Sequence, residues 1–118
     1  MKRIVIITGA NRGLGKAFVD VLINDEDCYI ISISRSLSKE QKEYSSNRFC
    51  FLEMDLSMDY VGDKINGLKG LIGDEAVYFI NNASIIGPVV KIEDLDEAAI
   101  DKTLSVNIKS TILISNYL

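Results

Sequence analysis

Ile4-Val5-Ile6-Ile7-Thr8-Gly9-Ala10-Asn11-Arg12-Gly13-Leu14-Gly15 is the stretch that decides how the rest of the chain is read. Its first half is a short apolar run rich in β-branched residues and closed by glycine, the pattern of a strand buried on both faces. Beyond the glycines, Leu14, Ala17, Phe18, Val21 and Leu22 recur at helical spacing up to about Asn24. The stretch therefore reads as strand, glycine turn and helix in succession. Small residues at Gly9, Gly13 and Gly15 let the backbone turn tightly and approach a pyrophosphate, while the N–H groups of the helix start point at negative charge. Glycine in a turn is common, but this position between strand and helix points to nucleotide binding. The spacing is GxxxGxG, distinct from the commoner GxGxxG. No Gly-Lys-Ser/Thr closes the loop, which disfavours a nucleotide kinase.

Outward from this unit, the same alternation continues. Strands are expected at Cys28–Ser34, Arg48–Met54 and Ala76–Ile80, each an apolar run bounded by turn residues. Ser36 to Ser46 is polar and reads as a turn with a short helix facing water. Val61, Ile65 and Leu68 mark a helix whose far end Gly67, Gly70 and Gly73 weaken. A short helical turn over 93–99 and a longer helix from about Ile100 complete the pattern. Strands alternating with helices of some ten residues predict an α/β fold, a Rossmann-type parallel sheet with flanking helices.

The bulk composition agrees. Hydrophobic residues make up 47% of the 118 and charged residues 25%, the balance of one globular domain. A net charge of −4 without any basic run speaks against a nucleic-acid platform. No histidine is present, which removes the commonest general base and metal ligand, and no metal site is expected. The two cysteines, Cys28 and Cys50, sit in apolar strands and are expected as buried thiols. No export signal or membrane span is apparent, so a cytoplasmic protein is expected.

Three further segments carry chemistry. Arg35 directly follows the second strand, where an α/β sheet places the adenosine ribose. A guanidinium there pairs with a 2′-phosphate, whereas a carboxylate would favour free ribose hydroxyls. Arg12 can close on the same phosphate and Ser34 can add a hydroxyl, so NADP(H) is predicted over NAD(H). Asp55 ends the third strand, where it can accept from an adenine amino group beside Leu56, cap the following helix, or do both. Asn81, Asn82 and Ala83 end the fourth strand, where short amides can tie neighbouring loops and a small alanine leaves room for a ribose. Asn107 is an unfavourable residue inside a helix, which suggests a job, the alternative being a solvent-facing or backbone-bonded amide.

Together these residues resemble the short-chain dehydrogenase/reductase family, specifically its NADP-dependent carbonyl-reducing members of the sepiapterin and benzil reductase type. The resemblance covers the whole chain. It implies that Thr8, Gly9, Asn11, Arg12, Gly13, Leu14 and Gly15 form the cofactor loop and that Arg35 selects NADP, with Ser34 beside it. It further implies that Asp55 and Leu56 contact adenine, that Asn81, Asn82, Ala83 and Ser84 form the family's NNAG segment, with Asn82, Ala83 and Ser84 binding cofactor, and that Asn107 holds a water in the proton relay. Ser84 departs from the glycine expected there. The implied strand order is 3-2-1-4.

The family's catalytic serine and Tyr-x-x-x-Lys pair have no counterpart at the matching place. Tyr60 and Lys64 have that spacing but precede the fourth strand, a coincidence. The expectation is a partial NADP-binding domain over residues 1–118, lacking the fifth strand onward and without reductase turnover alone. Two alternatives stay open: a nucleotide-binding regulatory module that joins a partner chain, and a non-functional fragment. An exposed fourth-strand edge or the last helix is expected to drive homo-oligomerisation.

Overall fold

The computed structural model describes residues 3–58 and 61–118. Four strands, β1 (Arg3–Thr8), β2 (Cys28–Ser34), β3 (Phe49–Glu53) and β4 (Ala76–Ile80), form one parallel sheet in the order β3-β2-β1-β4. This is the expected order. The strand boundaries match the apolar runs, except that β1 starts one residue earlier, at Arg3, and β3 is one residue shorter at each end.

Helices lie on both faces because strand side chains alternate. One face carries Ile4, Ile6, Ile31 and Ile33, packed against Val61 and Ile65 of α2 (Val61–Asn66) and Ile114 of α4 (Ser110–Tyr117). The other carries Val5, Ile7 and Ile30, covered by Val19 of α1 (Gly13–Leu22). Both central strands are therefore apolar on both sides, as the unbroken run Ile4–Ile7 requires. β4 is different. It pairs with β1 alone among the described strands, and its Tyr78 is exposed on the α1 side.

Arg48 fastens the corner where α1 returns to the sheet. Its guanidinium donates to the carbonyls of Cys28, Ile23 and Asp25, tying the chain reversal between α1 and β2 to the start of β3. Arg3 pairs with the carboxylate of Asp25 beside it.

The register Ile31↔Cys50 places Cys28 three residues from the nearest partner of Cys50, an odd offset that puts the two thiols on opposite faces. Three residues of strand span about 10 Å, beyond the reach of a disulfide. Both are free thiols, and burial pushes both up from the usual value. Cys28 is buried as expected, whereas Cys50 is only half-buried near the sheet edge.

After β3 the chain makes a turn before α2, which continues as a 3₁₀ turn at Gly67–Gly70 where its glycines accumulate. Tyr60 lies outside the described residues, and Lys64 sits on α2 with its ammonium donating to the Glu53 carbonyl. The segment after β4 holds a 3₁₀ turn at Ile92–Asp94. α3 (Glu97–Leu104) then opens three residues before the expected start, because Asp96 caps it by accepting from the Ala99 N–H at 2.7 Å. A π-helical turn at Ser105–Lys109 joins α3 to α4. No described helix is long and apolar enough to cross a membrane.

Candidate functional site

The sheet order reverses direction between β1 and β4, and a cleft of about 720 Å³ opens beyond their carboxyl ends. This is where open α/β sheets bind ligands. Four segments line it: the glycine loop (Gly9, Asn11, Arg12, Gly13), the end of β2 (Ser34, Arg35, Ser36), the end of β3 (Met54, Asp55, Leu56) and the end of β4 (Asn82, Ala83, Ser84, Ile85). Lys102 and Val106 come in from α3 and the π-turn.

Gly9 and Gly13 adopt φ of +65° and +56°, the left-handed region that favours glycine. A Cβ on Gly13 would meet nothing within 4 Å, so that position faces open space. Gly15 is the reverse case. A Cβ there would lie 2.2 Å from the Gly9 carbonyl oxygen and 2.6 Å from the Asn82 amide nitrogen, so α1 seats directly on loop backbone. At the start of α1, Arg12 occupies the N-cap without a side-chain cap bond. The first N–H groups of the helix therefore lack the partner a cap would give, and suit an anion.

The loop is held from behind. Thr8 is completely buried, and its hydroxyl accepts from the N–H groups of Asn82 at 3.1 Å and Ala83 at 3.0 Å. The Asn82 amide returns two bonds, to the Thr8 and Gly9 carbonyls, each at 3.2 Å. Thr8 thus supports the loop without lining the cleft. Leu14 and Gly15 also lie outside the lining, Leu14 exposed on α1 and Gly15 packed beneath the loop. Of the paired asparagines, Asn82 makes the tie while Asn81 is exposed.

Ser34 lines the cleft, but its hydroxyl donates to the Ser36 carbonyl at 2.7 Å. The exposed Ser36 hydroxyl, accepting from Asn11 at 3.1 Å, lines the cleft along with both arginines. Arg12 and Arg35 are both exposed, and neither makes a side-chain hydrogen bond or ion pair among the described residues. Their charge is thus available to a ligand.

Asp55 accepts from the hydroxyl and N–H of Ser57 at 2.6 and 2.9 Å. It therefore shapes the turn after β3, while still lining the cleft. The Ser57 hydroxyl, then its N–H, then the positive charges of Arg35 and Lys102 hold its carboxyl below the usual value of 3.8. A folded-state pKa below the unfolded one means that ionised Asp55 stabilises the fold above about pH 4, a contribution lost as pH falls through the folded value. The stability advantage of wild type over Asp55→Asn is expected to be larger at pH 7 than at pH 3 in urea titrations. A pH-independent difference would assign Asp55 no electrostatic role.

Asn107 occupies the π-turn, and its amide clamps the loop after β4. The Ile85 N–H donates to Oδ1 and Nδ2 donates to the Ile85 carbonyl, both at 2.8 Å. Its side chain is a backbone tie and does not line the cleft.

Sequence reasoning missed Ser36, Lys102 and Gln41. Lys102 is brought to the cleft by α3, with no local signal. Gln41 is buried at 1% exposure within a segment expected to face water. Among the described residues no group of three or more potential metal ligands assembles.

Comparison with known proteins agrees with this geometry. The short chain dehydrogenase family model matches residues 3–118. An uncharacterised oxidoreductase of Saccharomyces cerevisiae is 28% identical over 95% of this chain and 45% of its own length. A benzil reductase ((S)-benzoin forming) of Bacillus cereus is 28% identical over 97% of this chain and 48% of its own. The crystal structure of a short-chain dehydrogenase/reductase from Burkholderia vietnamiensis superposes with a TM-score of 0.89 at 26% identity, covering 100% of this chain and 58% of that one. The chain spans about half the length of the curated relatives it matches. With the 3-2-1-4 sheet and a family match over nearly every residue, the chain belongs to the short-chain dehydrogenase family, Rossmann-fold oxidoreductases that use NAD(P).

Proposed function

We propose that these residues form the cofactor-binding part of an NADP-dependent oxidoreductase that reduces a carbonyl. The observation that carries this reading is that Arg12, Arg35 and Ser36 line one cleft together with the glycine loop at the uncapped start of α1. The cleft fits a dinucleotide. Gly13 leaves room for close approach, and two uncommitted guanidiniums suit a phosphate on the ribose. Asp55 and Leu56 would flank the adenine, while Ala83 and Ser84 would line the path toward the nicotinamide.

When bound, the nicotinamide supplies the hydride. This chain's own residues bind and orient it. The N–H groups at the start of α1 take the pyrophosphate, Thr8 and Asn82 keep the loop in place, and Asn107 fixes the Ile85 backbone beside the cleft. A proton-relay role for Asn107 belongs to this proposal and would fall to groups other than its two Ile85 bonds. The serine and tyrosine–lysine pair of the family have no counterpart among the 118 residues. We therefore propose binding without turnover by this stretch alone. Self-association through the open edge of β4, or through exposed Ile108 and Ile112, is part of the same reading.

The test is a calorimetric titration with NADPH and then NADH. A charge-assisted bond to the 2′-phosphate contributes about 1.5–3 kcal/mol, so NADPH is expected to bind about tenfold tighter or more. Equal or tighter NADH binding would overturn the NADP assignment.

A further inference from the structure

We propose that Gln41 is a positioning residue for cofactor specificity, setting the spacing between the two limbs of the arginine clamp. The inference rests on the NADP reading of the cleft. One limb is the glycine loop with Asn11 and Arg12, and the other is the segment after β2 with Arg35 and Ser36. Gln41 lies in neither, and it does not line the cleft.

Its side chain nevertheless joins them. Nε2 donates to the Ala10 carbonyl at 2.7 Å, both residues being buried. Oε1 accepts from the Ser38 N–H at 3.3 Å, and the Gln41 N–H donates to the Ser38 hydroxyl at 3.2 Å. The reciprocal Ser38–Gln41 pair has the form of a capping box, which fixes the side chain before it reaches the loop. The far end of that side chain then fixes the Ala10–Asn11 peptide. Because a peptide is planar, holding the Ala10 carbonyl also sets the direction of the Asn11 N–H. The Asn11 amide bridges to the Ser36 hydroxyl at 3.1 Å, so the two limbs meet next to the clamp.

A buried amide that only satisfied a carbonyl would support both nicotinamide cofactors equally. Control of the gap between Arg12 and Arg35 makes a different demand. Only a ligand with a 2′-phosphate uses both arginines, so loss of the Gln41 bond should weaken NADPH more than NADH. Gln41→Met keeps the length and removes the donor.

The experiment is calorimetric titration of wild type and Gln41→Met with both cofactors, each protein checked for a cooperative melt. Removing a buried bond of this kind is expected to weaken NADPH about tenfold and NADH about twofold or less. Ser38→Ala, which loosens the capping box and leaves the amide in place, should shift the NADPH/NADH ratio in the same direction by less, and it carries the test if Gln41→Met does not fold. A wild-type chain that binds NADH as tightly as NADPH defeats the NADP reading and this proposal with it. Preference for NADPH in wild type, with an unchanged ratio in the folded variants, defeats this proposal alone.

Discussion

Gly15→Ala is expected to lose about 3 kcal/mol of stability and to abolish measurable cofactor binding. Two effects compete. Alanine is the better helix former by about 1 kcal/mol, which favours the substitution inside α1. Against this, the new methyl would sit 2.2 Å from the Gly9 carbonyl oxygen and 2.9 Å from its carbon. The obstruction is backbone, so no rotamer change relieves it. Asn82 Nδ2 lies 2.6 Å from the same point, and moving it breaks its bonds to Thr8 and Gly9. Steric cost and lost hydrogen bonds together exceed the gain in propensity. Gly13→Ala is the matched control. It meets no neighbour but must hold φ of +56°, a cost of about 1–2 kcal/mol. Urea unfolding of both variants checks the order. A Gly15→Ala midpoint at or above that of Gly13→Ala would show that α1 does not rest on the loop.

Arg35→Asp is expected to lower NADPH affinity about a hundredfold while leaving NADH affinity equal or improved. The substitution removes a donor for the 2′-phosphate and places a like charge beside it. It also brings a carboxylate close to Asp55, whose carboxyl is held down partly by the Arg35 charge, so the Asp55 pKa should rise. With NADH the new carboxylate can accept from free ribose hydroxyls. Paired titrations separate the outcomes. Parallel loss of both cofactors would mean that Arg35 supports the fold of the site without reading the phosphate.

The sheet was legible because its strands are unbroken apolar runs closed by turn residues, and the strand order came from the family resemblance. The cleft walls were legible for a related reason, since strand ends and a glycine turn mark the carboxyl edge of such a sheet. Distribution of roles within the walls was not. Asn81 and Asn82 look alike in sequence, yet the alternation of a strand end turns one to solvent and the other under the loop. Thr8 has a place in the motif, but its hydroxyl is spent on two backbone N–H groups of the fourth-strand loop. Gln41 sits in a polar stretch whose composition reads as solvated, and only the fold brings the Ala10 carbonyl within its reach. Lys102 depends on where α3 docks, which no local pattern encodes.

The bonds between Thr8 and Asn82 bridge 74 positions of sequence. Such long-range closure comes late in folding, because chain entropy opposes it until the intervening strands are in place. The glycine loop therefore acquires its final shape only when β4 has joined β1, although every residue of the motif lies within the first strand–turn–helix unit. A nucleotide that selects this shape draws population away from partly assembled forms. Ligand supply would then govern how long a newly made chain stays vulnerable to proteases, tying the lifetime of the protein to the abundance of its cofactor.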